Sequence, residues 1–278
     1  MDTSPPTKRN HWLAALFSFL AVGLGHLYVG RPWRGLLFLL LFLGFGIGVP
    51  WLGLPASIYG FAFWFIGLYV VYFYQIADAE RIARRTVDYS PRRYNQWYWY
   101  VTALLVLAVI ESSVVRYKDD YSNYNTFRIP AGSMEPALKA GDFIVSQRLG
   151  AGDKIQRGDI VIFHYPANPK VSYVKRVVAV AGDRLALDNG RLILNGAVVA
   201  EPYVLPANAL KPDSQTFGPE RVPDGNVFVL GDKRDFSNDS RYWGPLPVAL
   251  IYARPLYVWI NYQPNVGMDW GKIGRVVN

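Results

Sequence analysis

The order of apolar and polar positions changes character once along the chain, near residue 116. Before that point the apolar runs are long. No Asp, Glu, Lys or Arg occurs from Asn10 to Gly30, and after Arg31 and Arg34 the next charged residue is Asp78. At about 1.5 Å per helical residue, that second stretch would run to roughly twice a bilayer core, so it divides at Pro50 to Pro55 into two spans. A further run, from Tyr94 to Val115, opens with Trp97, Tyr98, Trp99 and Tyr100, an aromatic belt of the kind found at headgroup level. It is bounded by Arg92 and Arg93 on one side and by Arg116, Lys118, Asp119 and Asp120 on the other. The pattern predicts a membrane region over 1–116 with about four apolar spans, 10–30, 36–50, 56–76 and 95–115, and a basic loop at 77–94. The first run is also readable as re-entrant or interfacial. Its segment Gly23 to Gly30 makes a poor signal-peptide cleavage region, and further spans follow directly.

Beyond Tyr124 short β-branched runs alternate with Gly, Pro, Asp and Asn: Phe143–Ser146, Ile160–Phe163, Val171–Val180, Arg191–Leu194, Val227–Leu230 and Leu256–Ile260. These read as strands of a mainly antiparallel all-β domain over 117–278, with Asn189-Gly190 and Asn195-Gly196 as hairpin turns. The expected architecture is therefore N-terminal transmembrane helices followed by a β-rich domain.

Composition supports the division. With 51% hydrophobic and 15% aromatic residues among 278, part of the chain must lie in lipid. The net charge of +8 invites a nucleic-acid reading, but the basic residues form no recognition helix or arm, so no nucleic-acid partner is expected. Arg81, Arg84, Arg85, Arg92 and Arg93 instead crowd the loop between apolar runs, as the positive-inside bias produces on a cytoplasmic side. That orientation sends the last span outward and puts the β domain outside the membrane. Four spans would also put Lys8 and Arg9 outside, against the same bias. The absence of cysteine excludes disulfides, Cys nucleophiles and Cys-ligated zinc.

For chemistry, Ser133 lies in a turn made rigid by Pro130 and Pro136 and opened by Gly132. Such serines are usually turn residues. His164 is the only histidine of the β half and sits at a strand end with nothing to mark it as a base. Lys175 is unusual because it interrupts an apolar strand. Alternation puts Tyr173, Lys175 and Val177 on one face and Val174, Arg176 and Val178 on the other, so one of the two cations must face the more apolar side. If that cation is Lys175, burial lowers its pKa and lets it take a serine proton without a histidine. The acidic residues sit mostly in Gly-Asp turns, so neither metal nor cofactor is expected. His26, in the first apolar run, reads as a neutral packing residue because no carboxylate lies near it in sequence.

Three ordered motifs then carry a resemblance: Gly132-Ser-Met-Glu-Pro136 followed by Gly141-Asp-Phe-Ile-Val145; Arg157-Gly-Asp-Ile-Val-Ile-Phe163 joined to Tyr173-Val-Lys-Arg-Val177 and Gly182-Asp183; and Gly231-Asp232 followed by Ser237-Asn-Asp-Ser-Arg-Tyr-Trp-Gly244. Over residues 127–262 the chain resembles the bacterial type I signal peptidases, membrane-anchored Ser-Lys serine proteases. The resemblance implies Ser133 as nucleophile, Lys175 as general base, Ser237 as the hydroxyl orienting the lysine, and Asp239 and Arg241 as a supporting ion pair. It also implies that Ile129, Met134, Tyr173 and Val174 line shallow pockets for an Ala-x-Ala-like segment of a translocated preprotein. The expected setting is a bacterial cytoplasmic membrane, crossed several times, with the catalytic domain on the periplasmic face. Ala131, Lys233 and Phe236 depart from the family pattern; Ala131 stands where many members have a serine that adds to the oxyanion hole. Alternative readings are a specialised maturation peptidase of one secretion or conjugation system, and a catalytically silent scaffold that binds signal sequences. Self-cleaving repressors also use a Ser-Lys pair, but the apolar runs and the lack of a DNA-binding helix pair count against them.

Overall fold

In the computed structural model the chain divides into two compact units, one up to Asn123 and the other from Tyr124. The structure describes residues 8–87, 89, 93–118, 122–150, 152–263 and 266–278; the flanking charges Arg92, Asp119 and Asp120 lie outside them.

The first unit is helical. Its helices are α1 (His11–Leu20), α2 (Leu24–Tyr28), α3 (Pro32–Trp51, with a π turn at Gly44–Gly48), α4 (Ile58–Arg85) and α5 (Trp97–Arg116). Local chemistry sets the ends. Asn10 accepts hydrogen bonds from the Trp12 and Leu13 N–H groups at the start of α1, Pro32 occupies the first turn of α3, and Ser57 accepts from the Gly60 N–H on α4. Three of these helices, α3, α4 and α5, are long and apolar enough to cross a membrane. The run 10–30, expected as one span, folds otherwise: Ala21 is extended and Gly23 takes φ 86°, so the run splits into helices of ten and five residues. At about 1.5 Å per residue, ten residues reach roughly half a bilayer core.

The two short helices pack on the C-terminal half of α4, where the fully buried Ala14 packs with Ala83 and Ala79 is also fully buried, residues small enough for close helix approach. Gln75, also buried, donates to the Ser18 carbonyl at 2.7 Å. His26 is fully buried, and its Nε2 lies 3.1 Å from Asp78, which also meets Arg34 at 3.4 Å. Sequence proximity misses this partner, because the fold brings it from 52 residues away.

The second unit is β-rich. Among the described residues its larger sheet has eight strands. Seven run in the order β1 (Tyr124–Arg128), β2 (Asp142–Arg148), β11 (Ile251–Gln263), β3 (Ile160–Tyr165), β4 (Asn168–Val180), β9 (Asn226–Leu230) and β10 (Leu246–Pro247), while β12 (Gly267–Met268) pairs with β11. A smaller sheet runs β7 (Ala197–Val198), β6 (Arg191–Leu194), β5 (Arg184–Asp188) and β8 (Phe217–Arg221). All pairings are antiparallel. Asn189 and Asn195 adopt positive φ at the β5–β6 and β6–β7 turns, the geometry that Asn-Gly pairs supply.

The central strand β3 is buried on both faces, which explains its unbroken apolar sequence. Ile160 and Ile162 pack with Ile129, Met134, Leu138 and Ile144, whereas Val161 and Phe163 pack with Val177, Val229 and Leu246. Burying one such side chain contributes about 1.5–3 kcal/mol. This core anchors the segment that joins β1 to β2.

Candidate active site

Ser133 lies on that segment, between strand ends fastened together by the Ile129 N–H donating to the Asp142 carbonyl at 2.7 Å and the Gly141 N–H donating to the Ile129 carbonyl at 2.9 Å. Met134 and Leu138, at 1% and 0% exposure, fix the turn in the core and leave Ser133 half-buried at its rim. The apolar residues around the serine therefore hold its position, while the prolines restrict its backbone.

Lys175 approaches from β4. It pairs with Val161 of β3, is 4% exposed, and its Nζ is 2.7 Å from Ser133 Oγ. Among the described residues it forms no ion pair with a carboxylate. Burial lowers its pKa to about 8, working against the more distant attraction of Asp239 and Asp232 and assisted by Arg241. The arrangement sets a hydroxyl against an amine that is partly neutral near physiological pH, the pairing that nucleophile–base chemistry requires.

The third motif follows β9 and wraps the pair. Asp239 caps the one-turn helix Ser240–Trp243; its carboxylate accepts from the Gly231 N–H at 3.0 Å and forms a bidentate, fully buried pair with Arg241 at 2.8 and 2.9 Å. Arg241 also donates to the Arg234 carbonyl at 2.6 Å, so this ion pair ties the loop to itself. The Lys233 N–H donates to the Ser133 carbonyl at 3.1 Å. Ser237 is brought close as well: a Cβ added to Gly231 would meet Ser237 Oγ at 2.2 Å and the Ser133 carbonyl oxygen at 2.6 Å. Only glycine fits there. Among the described residues the buried Ser237 hydroxyl has no hydrogen-bond partner, so the bond to the Lys175 amine that the resemblance implies is not made in this structure.

Ile129, Met134, Tyr173 and Val174 line one cleft of about 430 Å³ together with Ser133 and Lys175. Phe127 and Ile162 also line it and were not singled out from the sequence, although alternation puts Phe127 on the same side of the chain as Ile129; Phe236, noted only as a departure from the family pattern, lines it too. His164 stands apart from this cleft, exposed and stacked on Tyr252 at 4.6 Å. Lys233, a possible substitute for the hydroxyl missing at Ala131, has its amine 2.6 Å from Glu135 instead. Among the described residues no group of three or more His, Asp or Glu gathers in metal-binding geometry.

The family model described as signal peptidase, peptidase S26, matches residues 95–260, which include α5 and most of the β unit. A signal peptidase I of Bacillus caldolyticus is 37% identical over 59% of this chain and 88% of its own length, and one of Pseudomonas fluorescens is 34% identical over 54% and 70%. A solved signal peptidase I structure from Enterococcus faecalis V583 is 33% identical, covers 36% of this chain and 94% of its own, and superposes with a TM-score of 0.32.

Proposed function

The chain belongs to the S26 family of signal peptidases, serine endopeptidases that remove signal peptides from preproteins, and from that premise we propose that Ser133 and Lys175 carry the reaction. The observation that carries this reading is the 2.7 Å approach of Ser133 Oγ to a buried lysine amine that, among the described residues, forms no ion pair with a carboxylate. Neutral Lys175 takes the Ser133 proton as Oγ attacks the scissile carbonyl carbon. The Ser133 N–H donates to the oxyanion, and the new ammonium protonates the departing amine. Water, deprotonated by the same amine, then releases the signal peptide from the acyl-enzyme. Ser237 supplies an acceptor for the ammonium N–H formed during transfer, which gives its unpartnered hydroxyl a role. The apolar cleft beside Ile129, Met134, Tyr173 and Val174 takes small side chains of an extended, Ala-x-Ala-like segment.

The three long helices support a membrane arrangement as well. With α3, α4 and α5 as spans, Lys8, Arg9, Arg31, Arg34, Arg81, Arg84, Arg85 and Arg93 share one side, which the positive-inside bias makes cytoplasmic. The β unit then faces the periplasm, where translocated preproteins emerge. Three spans in place of the four expected from hydropathy would remove the conflict over Lys8 and Arg9. In this arrangement α1 and α2 lie at the cytoplasmic half of α4, where the polar contacts of Gln75, Asp78 and Glu80 are found.

The test is cleavage of a preprotein by the purified wild-type protein beside Ser133→Ala. The wild type yields mature protein and the variant yields none; equal cleavage by the two would remove Ser133 from the reaction.

A further inference from the structure

Glu135 and Lys233 flank the proposed nucleophile, and the chemistry above does not use their charges. The Glu135 N–H donates to the Gly132 carbonyl at 3.1 Å, and the side chain folds back so that a Cβ added to Gly132 would lie 2.4 Å from Glu135 Oε1. The carboxylate therefore rests against the peptide whose N–H belongs to Ser133. Lys233 reaches it from the loop after β9, its Nζ 2.6 Å from Glu135 Oε2 and its own N–H bonded to the Ser133 carbonyl. The side chains are 26% and 30% exposed, so the pair contributes little to folding stability. Its position matters more. An uncompensated carboxylate beside the Gly132–Ser133 peptide would oppose the negative charge that develops on the substrate oxygen at the Ser133 N–H. Ala131 provides no side-chain donor to offset that repulsion.

We propose that Lys233 is a positioning residue that cancels the Glu135 charge beside the oxyanion site while its backbone N–H holds the Ser133 carbonyl. This rests on Ser133 being the nucleophile. The pair joins the nucleophile turn to the loop bearing Ser237 and Asp239, and leaves that junction electrically neutral. Its effect falls on the transition state, where the oxyanion exists, and not on substrate binding.

The experiment is a charge cycle in the full-length protein, with kcat and KM measured separately on one preprotein. Lys233→Met lowers kcat roughly five- to tenfold with KM within about twofold, whereas Lys233→Arg retains wild-type kcat. Glu135→Gln alone does not lower kcat, and Glu135→Gln with Lys233→Met returns to within about threefold of wild type. If Lys233→Met does not fold, Lys233→Gln replaces it in the cycle. A double variant as slow as the single lysine variant, a loss confined to KM, or an unimpaired Lys233→Met overturns the proposal. Ser133→Ala in the same assay separates the two levels: its activity would remove the premise, while its inactivity with an open cycle removes only the role of Lys233.

Discussion

Lys175 and Arg176 are neighbours on β4 and nearly equal in burial, at 4% and 3% exposure, but the two faces of the strand treat their charges in opposite ways. Arg176 meets Asp232 through two bonds of 2.9 and 2.8 Å, donates to the Gly158 carbonyl at 2.9 Å and lies over the Tyr203 ring at 4.0 Å. Lys175 has a serine hydroxyl at 2.7 Å and no paired carboxylate among the described residues. Guanidinium cannot shed its proton in a protein, so its burial requires a partner. An amine can, and an unpartnered one becomes a base. Burial is common to both faces; under the proposed mechanism, the presence or absence of a carboxylate decides which cation does chemistry and which holds the strand.

The largest effect expected from breaking this contrast is on turnover. Ser133→Ala and Lys175→Ala each lose at least about ten-thousandfold in single-turnover cleavage, and the double variant is little worse, because both groups serve one proton transfer. Lys175→Arg is as inactive as Lys175→Ala, since it keeps the charge but cannot act as a base; appreciable activity in it would erase the distinction between the faces. On the other face, Arg176→Met leaves Asp232 buried without its partner and costs about 3–5 kcal/mol in denaturant titrations. Adding Asp232→Asn to that variant restores part of the loss. A smaller effect runs the other way. Lys175→Met raises stability by about 1–3 kcal/mol at pH 7, because the native state no longer confines an ammonium. The sign follows from the depressed pKa: the native lysine gives up its proton at about 8 and the unfolded one at the ordinary lysine value of 10.5. Wild-type stability therefore rises with pH across that interval, and the advantage of methionine shrinks over it.

The sequence makes one half of this contrast legible. An apolar strand interrupted by Lys175, a Gly/Pro turn around Ser133 and the Asn-Gly hairpins are local signals, and the structure has the corresponding strand and turns. Arg176 was less readable, because its alternation predicts burial of one cation while Asp232, 56 residues on, permits burial of both. The same limit hid Asp78 from His26, and Glu135 from Lys233 across 98 residues. Strand β8 escaped for a different reason: Phe217-Gly-Pro-Glu-Arg221 has poor strand propensity and is held by pairing with β5. The break in the first apolar run turns on Gly23, whose positive φ no hydropathy pattern contains. Residue types for the Ser-Lys pair were visible, but the unpartnered state of the Ser237 hydroxyl depends on distances that only the fold sets.

The proposed mechanism depends most on Lys175 being a neutral amine when it meets Ser133, and the pH dependence of kcat/KM for preprotein cleavage reads that property directly. The predicted acid limb has its midpoint near the folded lysine pKa of about 8, with the rate falling about tenfold per pH unit below it. A limb at the ordinary lysine value of 10.5, or a rate independent of pH between about 6 and 10, would contradict it.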